Sequence, residues 1–373
     1  MRIHRRELLR QFGTAAVATA LYPTIPESAS VGADSAARLI RLNRNESAYG
    51  PSEKAKAAFA QAVNEVNRYP GEDIENLRAA LAALHGVTID NITLGCGSTE
   101  IMRMAAEAYL GPGKTLIAAS PTFEFIAQAA RLAGAEVRNT PLTREYAHDL
   151  NAMLARTDAG TGLIYVCNPN NPTGTLTPKS DLEGFLRKVP PGVGVLMDEA
   201  YHDYVAPTST YTSWATRAAA DPRLIVTRTF SKIYGLAGLR VGYAVSSAET
   251  AKRLAARRLP MEVSAVGAQA ALAALSDTPY TTKIAIANAN DRQEFFNQVN
   301  ARMLRCLDSQ TNFVLMRAES SGREAAAMLR SKGVLVGAGY AAFEKHIRVS
   351  LGLPEDMEAF WRAWDALMPH HPM

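Results

Sequence analysis

The feature that most constrains the fold is a regular alternation of short apolar runs with longer helical stretches. Six runs are apolar almost throughout, at residues 91–94, 115–119, 163–167, 193–197, 224–227 and 241–245. Strands of this length that lack polar alternation are buried on both faces. The sequence therefore predicts an α/β protein in which a mostly parallel sheet lies between two layers of helices.

Helical patterns fill the spaces between these runs, and their character changes after residue 260. Start and stop residues such as Ser52 and Gly86 predict helices over residues 52–67, 73–85, 99–110 and 123–133. Beyond residue 260 the sequence predicts a helix over 279–307, strands at 313–316, 334–336 and 347–350, and a last helix that contains Trp361 and Trp364. We therefore expect a large domain over residues 70–260, a smaller α+β domain over 261–373, and an N-terminal segment, 31–69, that joins the smaller domain.

Composition excludes several classes of protein. Of the 373 residues, 47% are hydrophobic and 20% are charged, which is typical of a globular protein rather than a disordered chain. The net charge is +4, and the first thirty residues hold four arginines against two glutamates, so only +2 remains for the rest. That is too little charge for a nucleic-acid-binding protein. Three cysteines are too few for a disulfide framework or a zinc site, and we predict no metal site.

The first thirty residues read as an export signal. Arg5 and Arg6 precede a short apolar run over residues 12–22, and small residues follow at 28–30. This order is similar to a bacterial twin-arginine signal. We predict that residues 1–30 are recognised by export machinery and that the protein is periplasmic; if they are only a solvated extension, it is cytoplasmic. No apolar stretch reaches the roughly eighteen residues that a permanent membrane span requires.

Polar clusters follow four of the predicted strands at the points where those strands end. Gly-Cys-Gly-Ser-Thr-Glu occupies residues 95–100, Asn-Pro-Asn-Asn-Pro-Thr-Gly 168–174, Asp-Glu-Ala-Tyr 198–201 and Thr-Phe-Ser-Lys 229–232. Ligands bind at the carboxyl ends of parallel strands, and the free N–H groups of a strand-to-helix turn suit a phosphate. The four clusters predict one ligand site, in which Lys232 is the most distinctive residue.

At these residues the sequence resembles the fold-type-I pyridoxal 5′-phosphate (PLP) aminotransferases, and in particular their histidinol-phosphate aminotransferase branch. The similarity includes Leu-Asn-Arg-Asn-Glu at 42–46, Arg-Tyr-Pro at 68–70 and Ile-Arg-Val-Ser at 347–350, and so spans nearly the whole chain after the signal. It implies the PLP-transferase type I fold with a large PLP-binding domain. It also implies an enzyme that moves an amino group between an amino acid and a 2-oxo acid.

The resemblance assigns roles to the residues around the PLP ring. Lys232 would bind PLP as a Schiff base and then carry a proton to or from the substrate Cα. Asp198 would pair with the pyridine nitrogen and keep it protonated, so that the ring accepts electrons from the breaking bond. Asn171 and Tyr201 would hydrogen-bond the phenolic oxygen, and Phe123 would stack on the ring.

The same resemblance implies a phosphate cup and an active site shared between subunits. The cup would combine backbone N–H groups, hydroxyls and a guanidinium, supplied by Gly97, Ser98, Thr99, Thr229, Ser231 and Arg240. Tyr69 would reach in from a neighbouring subunit, which makes a homodimer the expected assembly.

The substrate would be held by Arg348. Its grip on the α-carboxylate would set the Cα–H bond perpendicular to the PLP ring, where that bond overlaps the π system. Asn45 and Tyr49 lie on the N-terminal segment that is expected to cross the mouth of the site, and they are further substrate-binding candidates.

One position departs from the family pattern. The histidinol-phosphate branch has an arginine after the strand that precedes its carboxylate-binding arginine, and Gly337 stands in its place here. The loss of such a contact weakens phosphate binding by about 1.5–3 kcal/mol. Histidinol phosphate is therefore a doubtful substrate, and an ordinary amino acid is expected. A second explanation for Gly337 is a positive φ, in which case a substitution would only destabilise the loop.

Three alternatives remain at this point. A PLP-dependent decarboxylase of the threonine-phosphate decarboxylase type would use the same scaffold, because the bond that breaks depends on which one stands perpendicular to the ring. A true histidinol-phosphate aminotransferase is the second alternative. The third is a non-catalytic PLP-binding regulator, but the dozen residues at 31–42 leave no room for the DNA-binding domain that such proteins carry.

Overall fold

The strands form two sheets in the computed structural model, which describes residues 39–259, 263–340 and 342–366. In chain order they are β1 (Ile40–Leu42), β2 (Ile92–Cys96), β3 (Thr115–Ala119), β4 (Glu136–Thr140), β5 (Thr161–Cys167), β6 (Gly194–Asp198), β7 (Leu224–Thr229), β8 (Val241–Ser246), β9 (Phe313–Arg317), β10 (Val334–Ala338) and β11 (His346–Ser350). The larger sheet has the order β2-β8-β7-β6-β5-β3-β4, and the smaller one has the order β1-β10-β11-β9.

The larger sheet is parallel except at β8, which pairs antiparallel with both β7 and β2. Alternate residues of each central strand enter two different hydrophobic clusters. In β5, Ile164 and Val166 join one cluster, while Leu163, Tyr165 and Cys167 join the other. Because successive side chains of a strand point to opposite faces, helices cover this sheet on both sides. The predicted α/β fold with a mostly parallel sheet is confirmed.

The helices begin and end where the local sequence favours it. They are α1 (Glu53–Ala62), α2 (Glu72–His85), α3 (Ser98–Tyr109), α4 (Phe125–Leu132), α5 (Leu150–Ala155), α6 (Lys179–Lys188), α7 (Ala215–Ala218), α8 (Ala248–Ala255), α9 (Ala265–Leu275), α10 (Thr278–Ala301), α11 (Gly322–Ser331) and α12 (Pro354–Asp365). The Ser52 hydroxyl accepts a hydrogen bond from the Ala55 N–H and caps α1. Gly86 ends α2 at a φ of 63°, a conformation that glycine adopts without steric cost.

The smaller sheet includes the first described strand. β1 pairs in parallel with β10, so the residues that follow it, 43–46, lie beside the end of β11. α10, α11 and α12 supply apolar side chains to the core on this sheet. The boundaries at residues 70 and 260 stay a prediction.

The structure differs from the predicted elements in several places, and one of them is β1, where no strand was predicted. The helix expected over 52–67 ends at Ala62 and continues as a single 3₁₀ turn, and the helix expected over 279–307 is Thr278–Ala301. The strand β4 was not predicted, because Glu-Val-Arg-Asn-Thr is half-exposed and polar at the edge of the sheet. Edge strands lack the continuous apolar run by which the central strands are recognised.

The predicted export signal, residues 1–30, lies outside the described residues. Among the helices that the structure does describe, none combines the length and the apolar character needed to cross a membrane.

Candidate active site

A cavity of about 610 Å³ opens at the carboxyl ends of β2, β5, β6 and β7 in the larger sheet. Twelve of the fifteen predicted site residues line it: Asn45, Ser98, Thr99, Phe123, Asn171, Asp198, Tyr201, Thr229, Ser231, Lys232, Arg240 and Arg348. The four polar clusters that the sequence placed at strand ends thus meet in one space. This is the arrangement expected of a parallel α/β sheet.

Lys232 lies three residues beyond the end of β7, and its amine faces the N-terminal segment. Nζ donates hydrogen bonds to the carbonyl oxygens of Asn45, at 2.9 Å, and Arg44, at 3.3 Å. Burial, followed by the nearby positive charge of Arg348, lowers the pKa of Lys232 to about 7. A large fraction of the amine is therefore uncharged near neutral pH, and only the uncharged amine is a nucleophile.

Asp198 is the last residue of β6 and is almost completely buried. Its Oδ1 accepts hydrogen bonds from the Ala200 N–H, at 3.1 Å, and from the Thr227 hydroxyl, at 3.3 Å. Burial raises the pKa of Asp198, and these hydrogen bonds act in the opposite direction. A buried carboxylate that lines the cavity suits a cationic ring nitrogen.

Asn45 connects the N-terminal segment to Tyr201 and to the end of β11. Its Nδ2 donates to the Tyr201 hydroxyl, at 2.9 Å, and its Oδ1 accepts from the Ser350 hydroxyl, at 3.1 Å. Both polar ends of the Asn45 side chain are therefore used within the protein. Tyr201 is buried, and burial raises its pKa, so the phenol keeps its proton as a donor. The predicted contact of Asn45 with substrate stays a prediction.

The predicted phosphate cup is built around the start of α3. Gly97 has a φ of 75°, and a Cβ at this position would collide with the guanidinium of Arg240. Arg240 Nη1 donates to the Ser231 hydroxyl, at 3.3 Å, and that hydroxyl also accepts from Thr229, at 2.9 Å. The first N–H groups of a helix have no acceptor within the helix. Those of Ser98 and Thr99, beside a guanidinium and two hydroxyls, form a cradle for an anion.

Arg348 comes from β11 on the smaller sheet and enters the same cavity. Nη1 donates to Asn171 Oδ1, at 2.5 Å, and Nη2 donates to the Asn43 carbonyl, at 2.8 Å. Its Nε is buried and has no hydrogen-bond partner within the described residues. A buried donor of this kind is costly unless a ligand uses it. The predicted role of Arg348 in binding a carboxylate fits this geometry.

Gly337 pairs with Arg348 across β10 and β11. It is not among the glycines with positive φ, so the explanation of Gly337 by backbone conformation is wrong. A Cβ at Gly337 would lie 2.6 Å from the hydroxyl oxygen of Tyr340 and 3.4 Å from Arg348 Nη2. The Arg348 guanidinium carbon is 5.6 Å from the centre of the Tyr340 ring. Tyr340 therefore occupies the space that a side chain at position 337 would need.

Three predicted residues do not line the cavity. Gly97 packs against the guanidinium of Arg240, just before the start of α3. Tyr49 directs its hydroxyl to Asp291 Oδ2, at 2.7 Å. Tyr69 is 82% exposed in the single chain, a position that leaves its side chain available to a second subunit. The roles predicted for Tyr49 and Tyr69 stay predictions.

The structure also places residues at the cavity that were not among the fifteen predicted site residues. Seven further residues line the cavity: Asn43, Arg44, Glu46, Cys167, Ala200, Ala237 and Gly238. Most of them adjoin a predicted residue in the chain, so the strand-end motifs could have been extended by one or two positions. The Asn43 side chain gives no signal of its role, because Asn43 contributes a backbone carbonyl, which any residue type provides.

The residues present fit PLP. The cradle at α3 matches a phosphate, the buried Asp198 matches a pyridine nitrogen, and the uncharged amine of Lys232 matches an aldehyde. The side chain of Phe123 offers an aromatic surface in the same cavity.

Comparison with curated proteins agrees with this geometry. The sequence profile described as aminotransferase class I and II matches residues 37–363. The chain is 39% identical to the histidinol-phosphate aminotransferase of Moorella thermoacetica, over 87% of this chain and 84% of that protein. It is 41% identical to histidinol-phosphate aminotransferase 2 of Ralstonia nicotianae, over 87% of each chain.

Solved structures show the same fold. The histidinol-phosphate aminotransferase from Sinorhizobium meliloti, in complex with pyridoxal-5′-phosphate, superimposes with a TM-score of 0.82 at 26% sequence identity. The superposition covers 88% of this chain and 92% of that chain. The aspartate aminotransferase from Thermus thermophilus with maleate has a TM-score of 0.78 at 23% identity, covering 88% and 91%, and supports the fold alone.

Proposed function

The chain belongs to the aminotransferase class I and II family, and we propose, from the surroundings of Gly337, that its amino donor is a free amino acid rather than a phosphorylated amino alcohol. The protein is a PLP-dependent aminotransferase, and its substrates are an amino acid and a 2-oxo acid. The decarboxylase alternative is not favoured, since the similar proteins are named as aminotransferases.

Each group of the site can be assigned a role in such a reaction. PLP, when bound, withdraws electrons from the bond that breaks at the substrate Cα. Asp198 would hold a positive charge at the ring nitrogen, and the cradle at α3 would hold the phosphate. Lys232 Nζ would take the proton from the substrate Cα and deliver it to the C4′ carbon of the cofactor, a transfer that its pKa of about 7 suits at neutral pH. Arg348 would fix the carboxylate and thereby the orientation of the Cα–H bond.

The environment of Gly337 carries the proposal for the substrate. Histidinol phosphate has no α-carboxylate, so an enzyme that uses it must bind its phosphate with cations. Near position 337 the space is taken by the Tyr340 side chain, which presents a ring and a hydroxyl instead of a guanidinium. Arg348 is then matched to one anionic group, and the α-carboxylate of an amino acid is that group.

We expect the best ordinary amino acid to have a kcat/KM at least about tenfold higher than that of histidinol phosphate. A factor of ten corresponds to about 1.4 kcal/mol of transition-state binding, which is below the value of a charge-assisted contact. The measurement is steady-state kinetics of the wild-type protein on a panel of amino acids and on histidinol phosphate. The double variant Gly337→Arg/Tyr340→Ala adds the cation and makes room for it. It should reduce the ratio of the kcat/KM for the amino acid to the kcat/KM for histidinol phosphate.

The names of the relatives favour the opposite result. A clear preference of the wild-type protein for histidinol phosphate would show that the interpretation of Gly337 is wrong and that this is a true histidinol-phosphate aminotransferase. In that case Tyr340→Phe should lower the kcat/KM for histidinol phosphate, because the hydroxyl above Gly337 would be the group that contacts the phosphate.

A shared active site in a homodimer is supported by the surface around Tyr69. Three apolar side chains that precede it, Phe59, Val63 and Val66, are exposed by 40%, 44% and 62% in the single chain. A row of apolar side chains that ends in an exposed tyrosine is typical of a surface covered by a partner. A second copy of the chain would cover this row and receive Tyr69 at its phosphate cup.

Mixed dimers test the sharing. We expect Tyr69→Ala and Lys232→Ala proteins to be weakly active or inactive alone, and co-expressed mixtures to recover activity. In a hybrid dimer one site would lose both residues while the other would keep both, so each hybrid would have one intact site. If Tyr69 served its own subunit, every site of the hybrid would carry one defect, and no activity would return. Hybrids are isolated with two affinity tags and assayed directly.

Export through a twin-arginine route is supported by residues 1–30 alone. We expect the variant Arg5→Lys/Arg6→Lys to remain in the cytoplasm with unchanged specific activity, because lysine keeps the positive charge but not the paired guanidinium groups. Fractionation and N-terminal sequencing of wild-type and variant proteins provide the measurement. Wild-type protein found in the cytoplasm with residue 1 intact contradicts the proposal.

A further inference from the structure

Tyr165 is a buried residue of β5 for which the reaction has so far provided no role. Its side chain is completely inaccessible to solvent, and it lies on the same face of the strand as Cys167, which lines the cavity. Its hydroxyl donates a hydrogen bond to Asp198 Oδ2, at 2.8 Å. A polar atom in such a core normally has a specific partner, and the partner here is the carboxylate predicted to meet the cofactor.

The hydrogen bonds of Asp198 show what Tyr165 adds. Oδ1 accepts from the Ala200 N–H and the Thr227 hydroxyl, whereas Oδ2 accepts its short bond from Tyr165. The thiol of Cys167 also lies near Oδ2, at 3.8 Å, but at 3.3 Å it is closer to the Pro169 carbonyl, to which it donates. Tyr165 is therefore the close hydroxyl donor to this oxygen, and the three hydrogen bonds together hold the plane of the Asp198 carboxylate.

We infer that Tyr165 is a positioning residue of the aminotransferase, whose hydroxyl fixes the Asp198 carboxylate and keeps it ionised for the cofactor's ring nitrogen. The inference rests on the predicted pairing of Asp198 with that nitrogen. Tyr165 does not line the cavity, and it would act only through Asp198.

The direction of the electrostatic effects agrees with this role. Burial raises the pKa of Asp198, and the hydrogen bond from Tyr165 is the strongest of the contacts that lower it again. Burial also holds the pKa of Tyr165 well above its ordinary value, so the phenol remains a proton donor. Without the phenol, the carboxyl group would keep its proton more readily. A neutral acid cannot stabilise a positive charge on the ring nitrogen.

The variant Tyr165→Phe removes the donor and keeps the ring that fills the core. We expect PLP to bind at least about tenfold more weakly to the apoprotein, a change of about 1.4 kcal/mol, and kcat at saturating PLP to fall at least about tenfold. The KM for the amino acid should stay within about twofold, because Arg348 and its contacts are untouched. Titration of the apoprotein with PLP, followed by absorbance, gives the affinity independently of activity.

Tyr109→Phe is the matched control. Tyr109 is buried in the same hydrophobic cluster, and none of the hydrogen bonds of Asp198 comes from it. We expect PLP affinity and kcat of this variant to stay within about twofold of wild type. Thermal unfolding of both apoproteins shows whether either one is destabilised. A loss of PLP affinity in Tyr109→Phe equal to that in Tyr165→Phe would mean that the core, and not the hydrogen bond, is responsible, and would overturn the inference.

A double-mutant cycle with Asp198→Asn separates the inference from its premise. If Tyr165 acts through the carboxylate, Tyr165→Phe should change kcat/KM at saturating PLP by less than about twofold in the Asp198→Asn background. A full additive loss there overturns the inference, as do wild-type PLP affinity and kcat in the single variant. Near-normal activity of Asp198→Asn itself would instead refute the pairing of Asp198 with the ring nitrogen.

Discussion

Replacement of Lys232 by alanine should abolish transamination almost completely while the protein still binds PLP weakly. The amine of Lys232 is the group in the cavity that can bind the cofactor covalently, and it is also the group placed to carry the proton at Cα. Removal of a positioned acid–base group alone costs about 10²–10⁴ in rate, and the loss of the covalent link adds to it. The cradle at α3 would remain, which is why non-covalent binding should persist.

Two control variants make this prediction specific. Lys283→Ala removes an exposed lysine of α10 and should leave both activity and cofactor absorbance unchanged. Lys232→Arg keeps a positive charge at the site but supplies no amine that can react, so it should be as inactive as the alanine variant. Turnover of Lys232→Ala within about tenfold of wild type would show that another residue binds and activates the cofactor.

The central part of the sheet could be predicted because its strands are uniformly apolar. Residues 163–167 and 193–197 have no polar alternation, and such runs in a chain with intervening helices leave few possible folds. Once the strands are parallel, their carboxyl ends must share an edge, and the clusters that contain Asn171, Asp198 and Lys232 must meet. The position of most of the candidate site therefore followed from the order of strands and motifs.

The parts that could not be predicted depend on contacts between distant segments. Asn45 is 156 residues from Tyr201 and 305 from Ser350, yet it hydrogen-bonds both, and no local pattern marks such a connection. The space above Gly337 is filled by Tyr340, which could be known only from the turn between β10 and β11. Tyr165 belongs to a run of residues that is apolar almost throughout, so nothing in the sequence indicates that its hydroxyl contacts Asp198.

The structure also distinguishes two glycines of the candidate site. At Gly337, where we propose a change of chemistry, φ is ordinary and the neighbouring Tyr340 takes the available space. At Gly97 the glycine is required by geometry, since its φ is 75° and Arg240 lies where a Cβ would be. Substitutions at position 337 should therefore alter substrate choice, whereas those at position 97 should damage the phosphate cup itself.

Asp198→Asn should keep the fold and lower kcat by about a thousandfold or more. Asparagine has the same shape and can still accept from the Ala200 N–H and Thr227, but it has no charge to hold a proton on the ring nitrogen. A thousandfold loss corresponds to about 4 kcal/mol of transition-state stabilisation, at 1.36 kcal/mol for each factor of ten. Steady-state kinetics at saturating PLP measure it, and Asp181→Asn, an exposed aspartate of α6, is the control with wild-type activity. Near-normal kcat in Asp198→Asn would mean that the buried carboxylate serves the core of the sheet and that the ring nitrogen needs no anionic partner in this protein.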